Sequence, residues 1–123
     1  MPLNDLPLER VALHCERLGD HMIVTLSGDL DMASAPSLRE RLNEALRDTT
    51  PRVVIDLSAV TFCDASGLAV LVGAARRTRG IGVTLVLAAP RPQVAQLLRL
   101  TGLDRALAVH GSVADARLGR AAA

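Results

Sequence analysis

The chain has 123 residues, enough for one domain with a sizeable core and no need of disulfides or metal. Half of the residues are apolar and 22% are charged, which excludes a disordered chain. The 14 basic residues are all arginines and stand against 13 acidic ones, a net charge of +1. That balance lacks the basic excess of a nucleic-acid binder, and the absence of lysine removes lysine Schiff-base chemistry. Phe62 is the only aromatic residue, which excludes a stacking platform for single strands. Cys15 and Cys63 have no CxxC spacing and the three histidines are scattered, so no metal or cofactor is expected. The first ten residues (MPLNDLPLER) carry charges and two prolines and no apolar stretch typical of a secretory signal. The longest apolar run, residues 68–72, is far short of the roughly 20 that span a bilayer. The expectation is a soluble cytoplasmic protein with reduced thiols and no membrane span.

In chain order, residues 11–17 (VALHCER) and 21–27 (HMIVTLS) alternate, with Val11, Leu13 and Cys15 on one face and Met22, Val24 and Leu26 on another. With LGD between them they predict an antiparallel hairpin. Residues 28–33 (GDLDMA) break the alternation. Ser34 is the expected N-cap of a helix, with Pro36 in its first turn. Leu38, Leu42, Ala45 and Leu46 form its apolar stripe, with Arg39, Glu40, Arg41, Asn43, Glu44 and Arg47 outward. Residues 52–57 (RVVIDL) read as a strand buried on both faces. Residues 58–65 are expected as a loop, with a second helix starting near Ser66 and burying Leu68, Leu71, Val72 and Ala75. Gly80 and Gly82 stop it. A strand over residues 83–88, a helix over 93–100 stopped by Gly102, a short strand over 106–109 and a terminal helix Val113–Leu118 complete the pattern. The order β-β-α-β-α-β-α-β-α predicts an α/β fold, a mixed and mostly parallel sheet with helices packed on it. One domain over residues 1–123, with its core at about 11–118, is expected.

No phosphate loop, dinucleotide fingerprint or nucleophile elbow is present, and the glycines at 80 and 82 follow a helix. His14, His21 and His110 read as exposed strand residues, so no catalytic residue is expected. The remaining candidate is the junction 60–68 (VTFCDASGL), where Asp64 and Ser66 stand where the first helical N–H groups lack partners. Two readings are open there. One is an N-cap, with Gly67 allowing close packing. The other is an exposed hydroxyl at a helix N-terminus, where a phosphate adds roughly −1.5 to −2 charges and switches off a contact.

The segment VVIDLSAVTFCDASGLAVLVGAARRTRGIGVTLVLAAP resembles the anti-sigma factor antagonists of the sulfate-transporter-and-anti-sigma-antagonist (STAS) domain family. LSGDLDMASAPSLRERL resembles that family's first signature and LLRLTGLDRALAV its last. The resemblance implies the same β-β-α-β-α-β-α-β order. It implies a partner, an anti-sigma factor with a kinase-type ATPase fold, whose binding frees a sigma factor. That kinase phosphorylates the D-S-[ST]-G loop, and a serine phosphatase reverses it. The usual acceptor position is Ala65 here, which has no hydroxyl. Three alternatives follow: Ser66 is a substitute acceptor, the protein is not inactivated by phosphorylation, or Ala65 is an engineered substitution. By the same resemblance Asp31 and Asp64 flank Ser66. Partner binding then falls to Asp31, Met32, Phe62, Asp64, Ala65, Ser66, Gly67 and Leu68, with Leu68, Phe62 and Met32 as an apolar contact ringed by polar groups. The alternative role is a STAS subunit of a membrane transporter or lipid-trafficking complex. A Cys15–Cys63 oxidation switch is a further alternative, requiring Cα atoms within about 7 Å.

Overall fold

The computed structural model describes residues 11–47 and 50–119. Its frame is a five-stranded sheet in the order β1-β2-β3-β4-β5. β1 (Val11–Leu18) and β2 (His21–Leu30) form the expected hairpin, closed by Gly19 and Asp20 with Leu18 opposite His21. Gly19 has φ +64°, as the first position of a type II′ turn requires. β3 (Arg52–Cys63), β4 (Thr84–Ala88) and β5 (Val109–His110) add parallel.

One face of the sheet presents Met22, Val24, Leu26, Val53, Ile55, Leu57, Leu85 and Leu87 to the main core. The helices α1 (Ala35–Ala45), α2 (Ala65–Gly80) and α3 (Pro92–Thr101) contribute Leu38 and Leu42, Leu71 and Ala74, and Val94 and Leu98. The other face is apolar over Ile23, Val54, Val86 and Ala88, with Leu18 of β1 packed against them. There α5 (Val113–Leu118) places Ala116. The strands buried on both faces are therefore the continuous β-branched runs, as burial without alternation requires.

Several expectations change. The segment expected as a loop after Leu57 is strand through Cys63, because β2 also continues to Leu30 and the two strands pair to their ends. Thr25 to Leu30 on β2 faces Asp56 to Cys63 on β3, so β3 carries two more residues, in two bulges. Each bulge shifts the alternation, which moves the buried positions to Leu57, Val60 and Cys63 and hides the strand from a period-two reading. Ser34 does not cap α1 with its side chain. The turn starts earlier, with the Ala35 N–H already donating to the Asp31 carbonyl. Arg41 is half-buried and donates from Nη1 to the Val11 carbonyl rather than pointing outward. Cys15 is exposed, while Val72 is only half-buried on α2. Ala106 ends a short helix α4 (Leu103–Ala106) instead of starting a strand, because Gly102 at φ +76° reverses the chain and a new helical turn forms. His110 is 5% exposed, not a surface histidine, since β5 is tucked against β4 under α5. No helix among the described residues is long and apolar enough to cross a membrane.

Candidate functional site

The parallel ends of β2 and β3 bring the junction 60–68 beside the turn after Leu30. The Asp64 N–H donates to the Leu30 carbonyl at 3.0 Å, so the two loops leave the sheet side by side. Each is then rigidified by its own aspartate. Asp64 is the N-cap of α2: its Oδ1 accepts from the Ser66 N–H at 2.8 Å and the Gly67 N–H at 3.2 Å. Asp31 and Ser34 satisfy each other. Asp31 Oδ1 accepts from the Ser34 N–H at 2.9 Å, and Ser34 Oγ accepts from the Asp31 N–H at 3.0 Å. This is the geometry of a capping box, with aspartate in the first position and serine in the last. The Ser34 hydroxyl in turn donates to the Asp29 carbonyl at 2.7 Å. Across the strands, Thr61 Oγ1 donates to Asp29 Oδ1 at 2.8 Å.

Gly67 has a steric reason. A Cβ there would lie 2.4 Å from the Leu30 carbonyl oxygen and 2.6 Å from Leu30 Cβ. Only glycine lets α2 start this close to β2. Leu68 is 4% exposed and belongs to the core, so it is not the surface contact expected of it. A residue four after an N-cap aspartate falls on the inner face once the helix starts at Ala65. Met32 and Phe62 do lie outside, 76% and 44% exposed. Ala65 is exposed at the first position of α2 and Ser66 is half-buried. Of the eight residues expected at the site, Asp31, Asp64 and Gly67 are thus tied to the joint at Leu30. Met32, Phe62 and Ala65 are accessible around it.

Two features escaped the sequence. One is Gln93, near the start of α3. Its Oε1 accepts from the Cys63 N–H at 3.1 Å and its Nε2 donates to the Cys63 carbonyl at 2.9 Å. A single amide thereby does at Cys63 what a neighbouring strand would do. β4 does not reach this far, its pairing with β3 ending at Asp56. No local signal marks such a residue, because its partner is 30 positions away. The second is a groove of about 410 Å³ between α2 and the α3–α4 corner. It is lined by Ala65, Leu68, Ala69, Val72, Gly73, Arg76, Thr101 and Leu103. Its start at Ala65 makes it continuous with the junction.

Both cysteines are free. Cys15 pairs with Val24 and Cys63 with Leu30, six positions further along β2, which separates them by about 20 Å along the strand direction alone. A disulfide between them is excluded by that distance. Burial, and next the charge of Asp64, push the Cys63 thiol up to about 12. Burial also raises Cys15. Among the described residues no three or more His, Cys, Asp or Glu side chains gather as a metal site would need.

Residues 12–116 match the STAS domain family. The chain belongs to that family. It is 29% identical over 97 residues to the anti-sigma-F factor antagonist RsfB of Mycobacterium tuberculosis, covering 79% of each chain. It is 33% identical over 89 residues to an anti-sigma-B factor antagonist of Listeria monocytogenes, covering 72% of this chain and 78% of the relative. The crystal structure of an anti-sigma factor antagonist from Mycobacterium paratuberculosis superposes with a TM-score of 0.82 at 29% identity, over 89% of this chain and 92% of that one. The STAS order of elements expected from the sequence is the order observed, with α4 added.

Proposed function

We propose that this STAS protein is an anti-sigma factor antagonist: it binds an anti-sigma factor and thereby frees a sigma factor for transcription. What supports the reading is the joint at Leu30, where the Asp31 turn and the Asp64-capped start of α2 are held together beside an exposed apolar rim. A rigid polar pair flanked by Met32, Phe62 and the groove from Ala65 suits an interface that must form and separate without remodelling. The partner is an anti-sigma factor with a kinase-type ATPase fold, the exchange takes place in the cytoplasm, and the protein itself catalyses nothing. It needs no cofactor and contacts neither nucleic acid nor membrane directly.

Control by phosphorylation is lost at the usual position. Ala65 fills the exposed first position of α2 and has no hydroxyl to accept a phosphoryl group. Ser66 is one residue further along the helix and half-buried, its N–H is capped by Asp64, and it serves as an interface residue. The protein is then an antagonist whose activity follows its abundance, and a serine phosphatase has no work to do on it.

The test is affinity capture from lysate of the host, followed by reconstitution with ATP. Recovery of an anti-sigma kinase, with no phosphate incorporated into the wild-type chain and incorporation restored by Ala65→Ser, is the expected result. Recovery of a transporter or lipid-trafficking ATPase subunit instead overturns the antagonist role. Stoichiometric phosphorylation at Ser66 overturns the assignment of that residue.

A further inference from the structure

The outer edge of β1 has no strand beside it among the described residues. An eight-residue edge is a template for another strand unless something covers it. The hairpin register states which groups it presents. A two-residue turn makes Leu18 and His21 a hydrogen-bonded pair, and the pairs then alternate. Glu16, His14 and Ala12 therefore direct their N–H and C=O groups towards β2. Arg17, Cys15, Leu13 and Val11 direct theirs to the open side. Arg41 agrees with this parity, since it reaches round from α1 to the Val11 carbonyl at 3.1 Å and covers that end.

We propose that β1 pairs antiparallel with β1 of a second copy of this chain, about a two-fold axis through Cys15. In this register Cys15 faces Cys15 of the partner copy and Leu13 faces Arg17, giving about six backbone hydrogen bonds from groups that already point outward. His14 then stands opposite Glu16 twice, in the non-hydrogen-bonded pairs where side chains come closest. The neighbouring registers of the same parity lose this complementarity. Shifting the axis to His14 places the two histidines together, and shifting it to Glu16 places the two carboxylates together. Complementarity between an imidazole donor and a carboxylate thus selects both the occupant, a copy of the same strand, and the register. Cys15 is exposed and facing residues of a hydrogen-bonded pair lie about 5.5 Å apart at Cα, within disulfide reach. The pairing leaves the joint at Leu30 open, because Cys15 lies about 20 Å from it along β2.

Sedimentation equilibrium of the full chain, taken up to about 1 mM, reads the association directly. A dimer is expected, weakened about tenfold by Glu16→Arg or by His14→Glu and restored by the double variant, which sets a carboxylate opposite a guanidinium. All these positions are surface residues of a folded strand, so the variants keep the fold. Diamide, an azodicarboxamide oxidant, reports the register. It takes two hydrogens from the two facing thiols, becoming the hydrazine as the S–S bond forms, and the Cys15→Ser chain does not cross-link. A chain that stays monomeric throughout overturns the proposal. So does a dimer that ignores the charge series, or one in which Cys15 does not cross-link. None of these outcomes bears on sigma-factor release, which is read by the capture experiment.

Discussion

Replacing Gly67 by alanine drives a methyl group into the backbone of Leu30. At 2.4 Å from the carbonyl oxygen and 2.9 Å from the carbonyl carbon, the new Cβ meets no flexible side-chain end that can turn away. α2 and β2 must separate by roughly 1 Å, which places the change in the upper part of the 1–3 kcal/mol range for overpacked sites. The gain in helix propensity on leaving glycine returns up to about 1 kcal/mol. The net loss is about 2 kcal/mol, or roughly 8 °C in Tm for a chain of this size. Gly73 is the control on the same helix. A Cβ there meets only the end of the Arg77 side chain, at 3.3 Å, so Gly73→Ala is expected to be neutral or to raise Tm by a few degrees. Thermal unfolding of both variants by circular dichroism is the assay. Equal melting temperatures for Gly67→Ala and wild type would refute the reasoning, because the joint at Leu30 would then have slack. The same variant should weaken capture of the anti-sigma factor, since the stretch acts on the bond between Asp64 and Leu30.

Three other outcomes follow from Gln93 and the two cysteines. Gln93→Ala leaves the N–H and C=O of buried Cys63 without their partner and is expected to cost about 1–3 kcal/mol, read by urea denaturation, whereas Ala95, on the same helix, has no such contact and serves as the reference position for a Gly substitution. The Cys63 thiol, pushed up to about 12 from 9.0, makes the folded state hold its proton where the unfolded chain releases it. Stability from this source is complete below the unfolded value and declines as pH rises above about 9, by up to 1.4 kcal/mol per unit, until the folded value is reached. In a Cys15→Ser background, Cys63→Val should flatten that alkaline limb in denaturation curves at pH 8 to 10. In native protein at pH 8 a thiol reagent should modify Cys15 and spare Cys63 until denaturant is added.

The periodic elements needed no tertiary information. The hairpin, the stripe of Leu38 and Leu42, the buried run 53–55 and the helix Val113–Leu118 follow from alternation, helical spacing and stop residues. What escaped was everything set by pairing at a distance. β3 runs on past Leu57 only because β2 is there to receive it, and its bulges erase the alternation that would have revealed it. Capping preference left Asp64 and Ser66 both open at the start of α2, where the aspartate proves to be the cap, and at α1 it favoured Ser34, whose N–H is instead held by Asp31. Helical spacing placed Leu68 among the buried positions of α2 and the family resemblance placed it in the contact; its burial in the core follows the spacing. His110 lay at a strand end, where exposure is the ordinary expectation, and α5 covers it.

Beyond Asp56, β3 has a strand on one flank only; on the other, Arg91 Nε donates to the Ser58 carbonyl at 2.8 Å and Gln93 takes hold of Cys63 at the far end. Mechanically it is a beam fixed along one side by β2, and on the other at the root by β4, at Ser58 by a guanidinium and at the tip by one amide. A load applied at Ala65 or Asp64 is therefore shared between β2, through Leu30, and α3, through Gln93. Because α3 also forms one wall of the groove through Thr101, a partner pressing on the tip and a partner filling the groove strain the same helix. The two contacts are coupled through that shared support.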